Sequence, residues 1–372
     1  MKRFTFALLF GLLSSFSQGQ IPELGVDDLK PTDDLNKFPN FTSDSRPEVA
    51  EKINLALQLE LLDHLPGEYA EHPFEKVGLD TLNWGPHVTF YDYEVYKGTG
   101  GVLSFVLEGT GVGTGAIDFW THYNFDGQTG YRLHFDELFK PGVGDSILKD
   151  CGDIDRRRRN SALIALKAER EAAVENEQEY YDLDFLSEQI YVYENLIMDE
   201  DAYLPFFFYV ADDSIHLTLE SWVPRNMSFH NDLIDYTISF AFTSLDRVLS
   251  NYGRKILAGE THNFISSHPE GKIYKGLIHN MYPANIFINR IYDDGSVDMH
   301  FWYGYSKNPV EWDGEFIDDS LLMVEYLYYN EDEGRWIVGH TIEAKIHDGK
   351  RITGIRKPKY SKPDMVFDLE LY

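Results

Sequence analysis

Six consecutive residues, His300-Phe301-Trp302-Tyr303-Gly304-Tyr305, put aromatic side chains on both faces of one expected strand. Side chains alternate across a strand, so one face joins a core and the other can stack on a sugar ring or a protein partner. The binding residues expected from this run are Trp302, Tyr303 and Tyr305. A second conspicuous segment is the glycine-rich run from Gly98 to Gly115. A phosphate cradle needs a following Lys or a helix opening on the glycines. A strand pattern follows here, so the run reads as hairpin turns. The 13 histidines are scattered, with no HExxH and no pair four apart on an expected helix. Neither a metal nor another cofactor is expected from them.

Three further groups could do chemistry. Gly144-Asp145-Ser146-Ile147 resembles the nucleophile block of GDSL hydrolases, and Asp213-Ser214-Ile215-His216 has the spacing of their acid–base pair. A serine nucleophile needs a histidine within hydrogen-bond reach and an oxyanion hole. Ser146 follows Lys140-Pro141-Gly142 rather than a buried strand, which argues against the pairing. Arg156 to Arg159 is the basic run, an anion site in one reading and a solvated helix end in the other. Acidic turns such as Asp293-Asp294-Gly295 lack the alternating oxygen ligands of an EF-hand and read as solvated turns. No motif makes the chain an enzyme.

The elements that must position these groups follow from patterning. The chain has 372 residues, a formal charge of −29, 43% hydrophobic and 15% aromatic residues. This suits two domains with real cores and disfavours a basic nucleic-acid surface. One cysteine, Cys151, excludes an intrachain disulfide framework. Met1-Lys2-Arg3, an apolar run from Phe4 to Leu13 and small residues to Gly19 have the order of a secretory signal peptide, residues 1–19, too short to span a bilayer. A periplasmic or secreted location follows. No later segment is expected to cross a membrane. Residues 20–44 read as a flexible leader.

A helix is expected from Ser45 or Arg46-Pro47 to Pro66, then strands from His87, Val102, Gly115 and, shorter, Tyr131 to Phe135. Residues 153–200 are a long polar helix former. A hairpin turning at Asp212-Asp213, a strand at 236–242 and a helix at 245–257 complete an α+β domain, residues 45–258. Residues 259–270 read as a linker. Beyond it strands recur at 273–278, 284–292, 297–305, 310–317, 321–329, 336–346, 351–356 and 366–371, with Asp/Gly turns between most of them. This is an antiparallel meander closing into a barrel-like or sandwich domain, residues 271–372. It holds 12 basic and 17 acidic residues, net −5, so −24 belongs to residues 1–270.

Leu103-Ser104-Phe105, Tyr123-Asn124-Phe125-Asp126, Thr129-Gly130 and Leu133-His134-Phe135-Asp136-Glu137-Leu138-Phe139, with later matches at 207–219 and 236–249, carry a family likeness. Residues 87–258 resemble the module of unknown function shared by RsiV-type lysozyme-sensing anti-sigma factors and PdaC-type peptidoglycan deacetylases. Through Lys275-Gly276, Phe301-Trp302-Tyr303-Gly304-Tyr305, Val310 to Phe316 and Leu321 to Tyr326, residues 271–372 are similar to a small exported β-domain of Bacteroidetes-type proteins. The resemblance implies an envelope binding protein whose partner is a cationic wall hydrolase such as lysozyme. The alternative partner is peptidoglycan or another polysaccharide. The net charge fits the first, since an acidic surface steers a cationic partner.

Overall fold

The computed structural model describes residues 24–29, 36–77, 87–96, 100–112, 116–176, 180–197, 206–219, 235–306, 308–330, 334–359 and 363–372. The expected signal peptide lies outside them. The expected leader is corrected: it contains β1 (Gly25–Leu29) paired antiparallel with β2 (Phe38–Thr42). Phe38 and Phe41 of β2 are fully buried, and burial of two aromatic rings fixes the segment. The side chain of Asn54 substitutes for a neighbouring strand. Its Nδ2 donates to the Phe41 carbonyl and its Oδ1 accepts from the Phe41 N–H, each at 2.8 Å.

Asn54 belongs to α1 (Pro47–Leu62), which starts with Pro at its first turn, where the missing N–H costs nothing. Val49, Ile53, Leu55, Ala56, Leu57, Leu59 and Leu62 are all buried, so apolar residues occupy more than one face. Such a helix must be enclosed. One side is covered by a sheet of β3 (His87–Val95), β4 (Val102–Val112) and β5 (Ala116–Asp126), through Phe105, Tyr123 and Phe125. The other side meets the barrel.

After β5 the chain makes only an isolated bridge, Phe125 to Arg132, before one turn of 3-10 helix (Phe135–Leu138). The short strand expected at Tyr131 is therefore absent. The long helical stretch is two helices, α2 (Val143–Glu175) and α3 (Tyr180–Ile197), meeting along Leu166, Ala173, Leu186 and Tyr193. A second sheet follows, β6 (Phe206–Ala211), β7 (Ser214–Leu219) and β8 (Thr237–Ala241). Asp212 and Asp213, both at positive φ, make its two-residue turn. The expected closing helix is broken into α4 (Phe242–Leu245) and α5 (Asn251–Leu257), because Ser250 caps the second by accepting from the Gly253 N–H. Leu138, Cys151, Ile215, Leu217, Leu249 and Ile256 form the core of this part. Residues 259–270 carry no strand or helix, and the His262 N–H is nonetheless tied to Gln128 Oε1 at 3.3 Å.

The last part is a closed antiparallel barrel of β9 (Lys272–Ile278), β10 (Tyr282–Ile291), β11 (Ser296–Tyr303), β12 (Val310–Ile317), β13 (Ser320–Asn330), β14 (Arg335–His347), β15 (Arg351–Pro358) and β16 (Met365–Leu371). Each strand pairs with its sequence neighbour, and β16 closes onto β9. Eight strands leave an interior that side chains can fill. Tyr274, Ile286, Ile288, Met299, Phe301, Trp312, Ile342, Ile352 and Phe367 fill it. Phe301 and Trp312 stack at 4.6 Å. Gly314 has no room for a side chain, since a Cβ there would overlap the Leu322 carbonyl on the next strand. Asp318 and Asp319, at positive φ, make the expected tight turn.

Ile273, Phe287 and Trp302 point outward from the barrel wall and join the core around α1. Polar contacts extend this junction. Arg132 donates to Glu60 of α1 and, at 3.4 Å, to Glu270 just before β9. The Tyr131 hydroxyl donates to the Tyr372 carbonyl at the chain end. Among the described residues, no helix is long and apolar enough to cross a membrane.

Candidate functional site

Successive barrel strands run in opposite directions, so the ends of β9, β11, β13 and β15 share one rim with the starts of their partners. The aromatic run of β11 leads to that rim, and its three expected binding residues divide. Trp302 is 6% exposed and packs against α1, so its place as a surface contact is corrected. Alternation does place Trp302 on the outward face, and that face is part of the core around α1. Tyr303 points inward at the rim, half-buried, edge-on to Phe301 at 5.0 Å. Burial pushes its hydroxyl pKa up. Tyr305 stacks parallel on Tyr303 at 5.3 Å and is 69% exposed. Met281 and Tyr282, in the β9–β10 turn region of the same rim, are also exposed.

A further apolar feature of the rim is not among the residues expected from the sequence. The register of β13 against β14 shifts between Glu325 and Tyr326 and again between Tyr326 and Tyr328. Such bulges bend and twist a hairpin and re-aim its side chains. Tyr326 and Leu327 in the bulged stretch, and Tyr329 and Trp336 just beyond it, are all exposed. The Trp336 ring is 5.8 Å from Tyr326 and 5.5 Å from Tyr329, and is itself 57% exposed. The signal was present as Tyr326-Leu327-Tyr328-Tyr329 and Arg335-Trp336 around an acidic turn, four or more large apolar residues where a hairpin tip is normally polar.

Beneath the rim the interior becomes polar. Arg356 is buried and donates to both oxygens of Glu325, Nη2 to Oε1 at 2.6 Å and Nε to Oε2 at 3.0 Å. Trp312 Nε1 also donates to Glu325 Oε2 at 3.0 Å. Arg356 further reaches His340 Nδ1 at 3.2 Å and the Tyr303 hydroxyl at 3.4 Å. The pair is charge-balanced and well hydrogen-bonded, which is what a buried ion pair requires. It forms a rigid floor under Tyr303. The arrangement offers flat aromatic faces and phenol hydroxyls.

The other sequence candidates fall apart or become structural. Ser146 is exposed on the first turns of α2. His216 directs Nδ1 at Ser239 Oγ (2.7 Å) and Nε2 at the Ala211 carbonyl (3.2 Å), so Ser146 and His216, whose pairing the sequence already argues against, are not brought together. The Ser239 contact follows from register, since the two residues are cross-strand partners. In the glycine-rich run, Gly100 and Gly101 approach the backbone of α5 and Gly109 lies against the Phe119 ring, so these are close packing positions. Within the arginine run, Arg159 is buried and paired with Asp155 at 2.6 Å, and Arg158 donates to the Asp235 and Thr237 carbonyls. The run therefore clasps the second sheet. Asp294 accepts from the Ser296 N–H, the ordinary turn contact.

His134, His268 and Asp136 form a separate group at the base of the barrel. The two rings stack at 4.5 Å, and His268 Nε2 lies 3.1 Å from Asp136 Oδ2. Burial pushes the His134 pKa down to about 3, helped by the nearby His268 and Arg132 charges. The Asp136 hydrogen bond raises that of His268. The group ties the 3-10 turn to the segment before β9. No protein-family model matches the chain, and no curated protein matches its sequence.

Proposed function

We propose that this chain is an exported cell-envelope binding protein, an α+β envelope domain followed by a barrel whose aromatic rim grips a glycan, peptidoglycan or another polysaccharide. The observation that carries the reading is the exposed cluster of Tyr326, Tyr329 and Trp336 on the bent β13–β14 hairpin. The C–H faces of a pyranose ring are apolar and pack on aromatic rings, while its hydroxyls bond to phenol oxygens of the kind Tyr305 presents. A monomeric protein seldom exposes several adjacent large apolar side chains without a partner. The test is co-sedimentation of the full chain with insoluble peptidoglycan and with other insoluble polysaccharides. Retention on at least one, lost when Trp336 and Tyr329 are both changed to Ala, is expected. Retention unaltered by that double change overturns the reading.

A second reading rests on charge. Net −29, of which −24 lies in residues 1–270, suits capture of a cationic wall hydrolase such as lysozyme. Calorimetric titration with a c-type lysozyme at low and near-physiological salt tests it. Saturable 1:1 binding that persists where the Debye length is about 8 Å supports a specific interface. Binding that vanishes with salt removes it. In either reading, export follows from the N-terminal residue order, and secretion to the periplasm or medium is tested by sequencing the mature N-terminus.

A further inference from the structure

We propose that Asp63, His300 and Glu311 form a zinc-type divalent-cation site that fastens the end of α1 to the outer wall of the barrel. His300 sits on the outward face of β11, 5% exposed, with its ring near-parallel to Phe287 at 6.4 Å. Both of its ring nitrogens are shielded from solvent, and neither makes a well-formed hydrogen bond; Nε2 has only the long contact to Asp63. A buried imidazole left so is costly unless something binds it. Nε2 lies 3.4 Å from Asp63 Oδ1 and 3.9 Å from Glu311 Oε1. The three donor atoms all lie within 4.8 Å of one another. A tetrahedral zinc ion with bonds of about 2.0–2.2 Å holds its ligand atoms about 3.3–3.6 Å apart, so small side-chain adjustments close the set.

The chemistry of the donors selects the ion. Two carboxylates converge on the imidazole and Lys76 pairs with one of them, so the carboxylate charge is offset in part and the remainder favours a cation. Calcium and magnesium prefer shells made of oxygen, whereas an imidazole with carboxylates suits zinc. Glu311 is exposed, so water has access to a fourth position. Asp63 is held for the role. It ends α1 at a left-handed φ of 52°. Lys76 Nζ donates to its carbonyl at 2.6 Å and to its Oδ2 at 3.1 Å, leaving Oδ1 turned toward His300. Outer contacts of this sort orient a ligand and tune its affinity. The three residues come from α1, β11 and the neighbouring β12, so the ion would join the two parts of the molecule at the edge of the Trp302 contact.

The experiment is titration of the chelator-stripped full chain with ZnCl2, with CaCl2 and MgCl2 as comparators. The readouts are calorimetry, thermal midpoint and the visible spectrum of the Co2+ form. One zinc per chain is expected, with a Kd of about 10 µM or tighter. Saturation is expected to raise the midpoint, as for any ligand of the folded state. Glu311→Gln, exposed and therefore tolerated by the fold, is expected to weaken binding by about tenfold or more, and Asp63→Asn likewise. Asp136→Asn, at the separate histidine group, is expected to leave it unchanged. Absence of saturable zinc binding, binding unaltered by Glu311→Gln, or equal binding of calcium overturns the proposal.

Discussion

The barrel and the region before it are built on opposite plans. The barrel closes on itself: every strand pairs with its sequence neighbour, and its core is made of barrel residues. The first region is assembled from a two-stranded and two three-stranded sheets, and its helix α1 shares a core with Ile273, Phe287 and Trp302 of the barrel wall. One part is self-sufficient by register, and the other leans on it. The difference teaches that the boundary at residues 259–270 divides the pattern of the sequence rather than the packing of the molecule.

The strongest way to break this comparison is to damage the barrel from within. Glu325→Leu leaves Arg356 buried with its main charge partner gone. Removing one member of a buried pair costs about 3–5 kcal/mol, whereas replacing both by packed apolar residues is far milder. Guanidinium unfolding is expected to show the single change destabilising both regions, because the first has lost its support. A first region that keeps its stability in that variant contradicts the dependence. Trp302→Ala comes next. Emptying a buried indole costs about 3 kcal/mol or more. Here the loss falls on the junction, so unfolding is expected to separate into two transitions, with the barrel midpoint little changed.

This asymmetry is also why the two parts were unequally legible. The eight barrel strands follow from period-two patterning and Asp/Gly turns, and their observed bounds differ from the expected ones by only a few residues. Register between sequence neighbours is local information. β1 and β2 were missed because a segment rich in Pro, Asp and Asn becomes a pair of strands through Asn54, thirteen residues beyond Phe41, and through burial of two Phe rings. Trp302 was read as exposed because alternation tells which residues share a face, never what covers it. Tyr305 lies past the end of its strand and is exposed, while the Tyr329/Trp336 contact depends on the register of two strands across a hairpin, which linear patterning does not fix. His300 stood within the aromatic run from the start. Its carboxylate partners lie 237 positions earlier and 11 later, a spacing that no linear motif records.

A gentler probe uses acid. His134 stands at the seam, its pKa held near 3 by burial first and then by the His268 and Arg132 charges, against an ordinary value of 6.5. Between those values the unfolded chain binds a proton that the folded chain refuses. Its contribution to stability is therefore complete above about pH 6.5 and falls on acidification, by at most about 1.4 kcal/mol per pH unit. His268 works in the opposite sense, since its raised pKa gives stability that is present at low pH and lost as pH rises. Denaturant midpoints from pH 7 to 4 are expected to drop in the native chain. They should drop less in His134→Phe, which keeps the ring stack and removes the titration. Equal slopes in the two proteins place the acid sensitivity elsewhere.

The smallest expected effect on stability is the most informative about function. Trp336 lies on a hairpin beyond the bulges and contributes little buried area, so Trp336→Ala is expected to shift the unfolding free energy by about 0.5 kcal/mol or less. Trp302→Ala removes the same side chain type thirty-four residues earlier and is expected to cost several times more. For ligand retention the order inverts. A ring that no core uses is free to carry binding, and loss of an aromatic anchor typically weakens a complex by about 2 kcal/mol or more. Measured side by side, stability and polysaccharide retention should cross over between the two tryptophans. If Trp336→Ala instead destabilises the fold as much as Trp302→Ala, the hairpin cluster is a second core and the exposed rim loses its claim to be a binding surface.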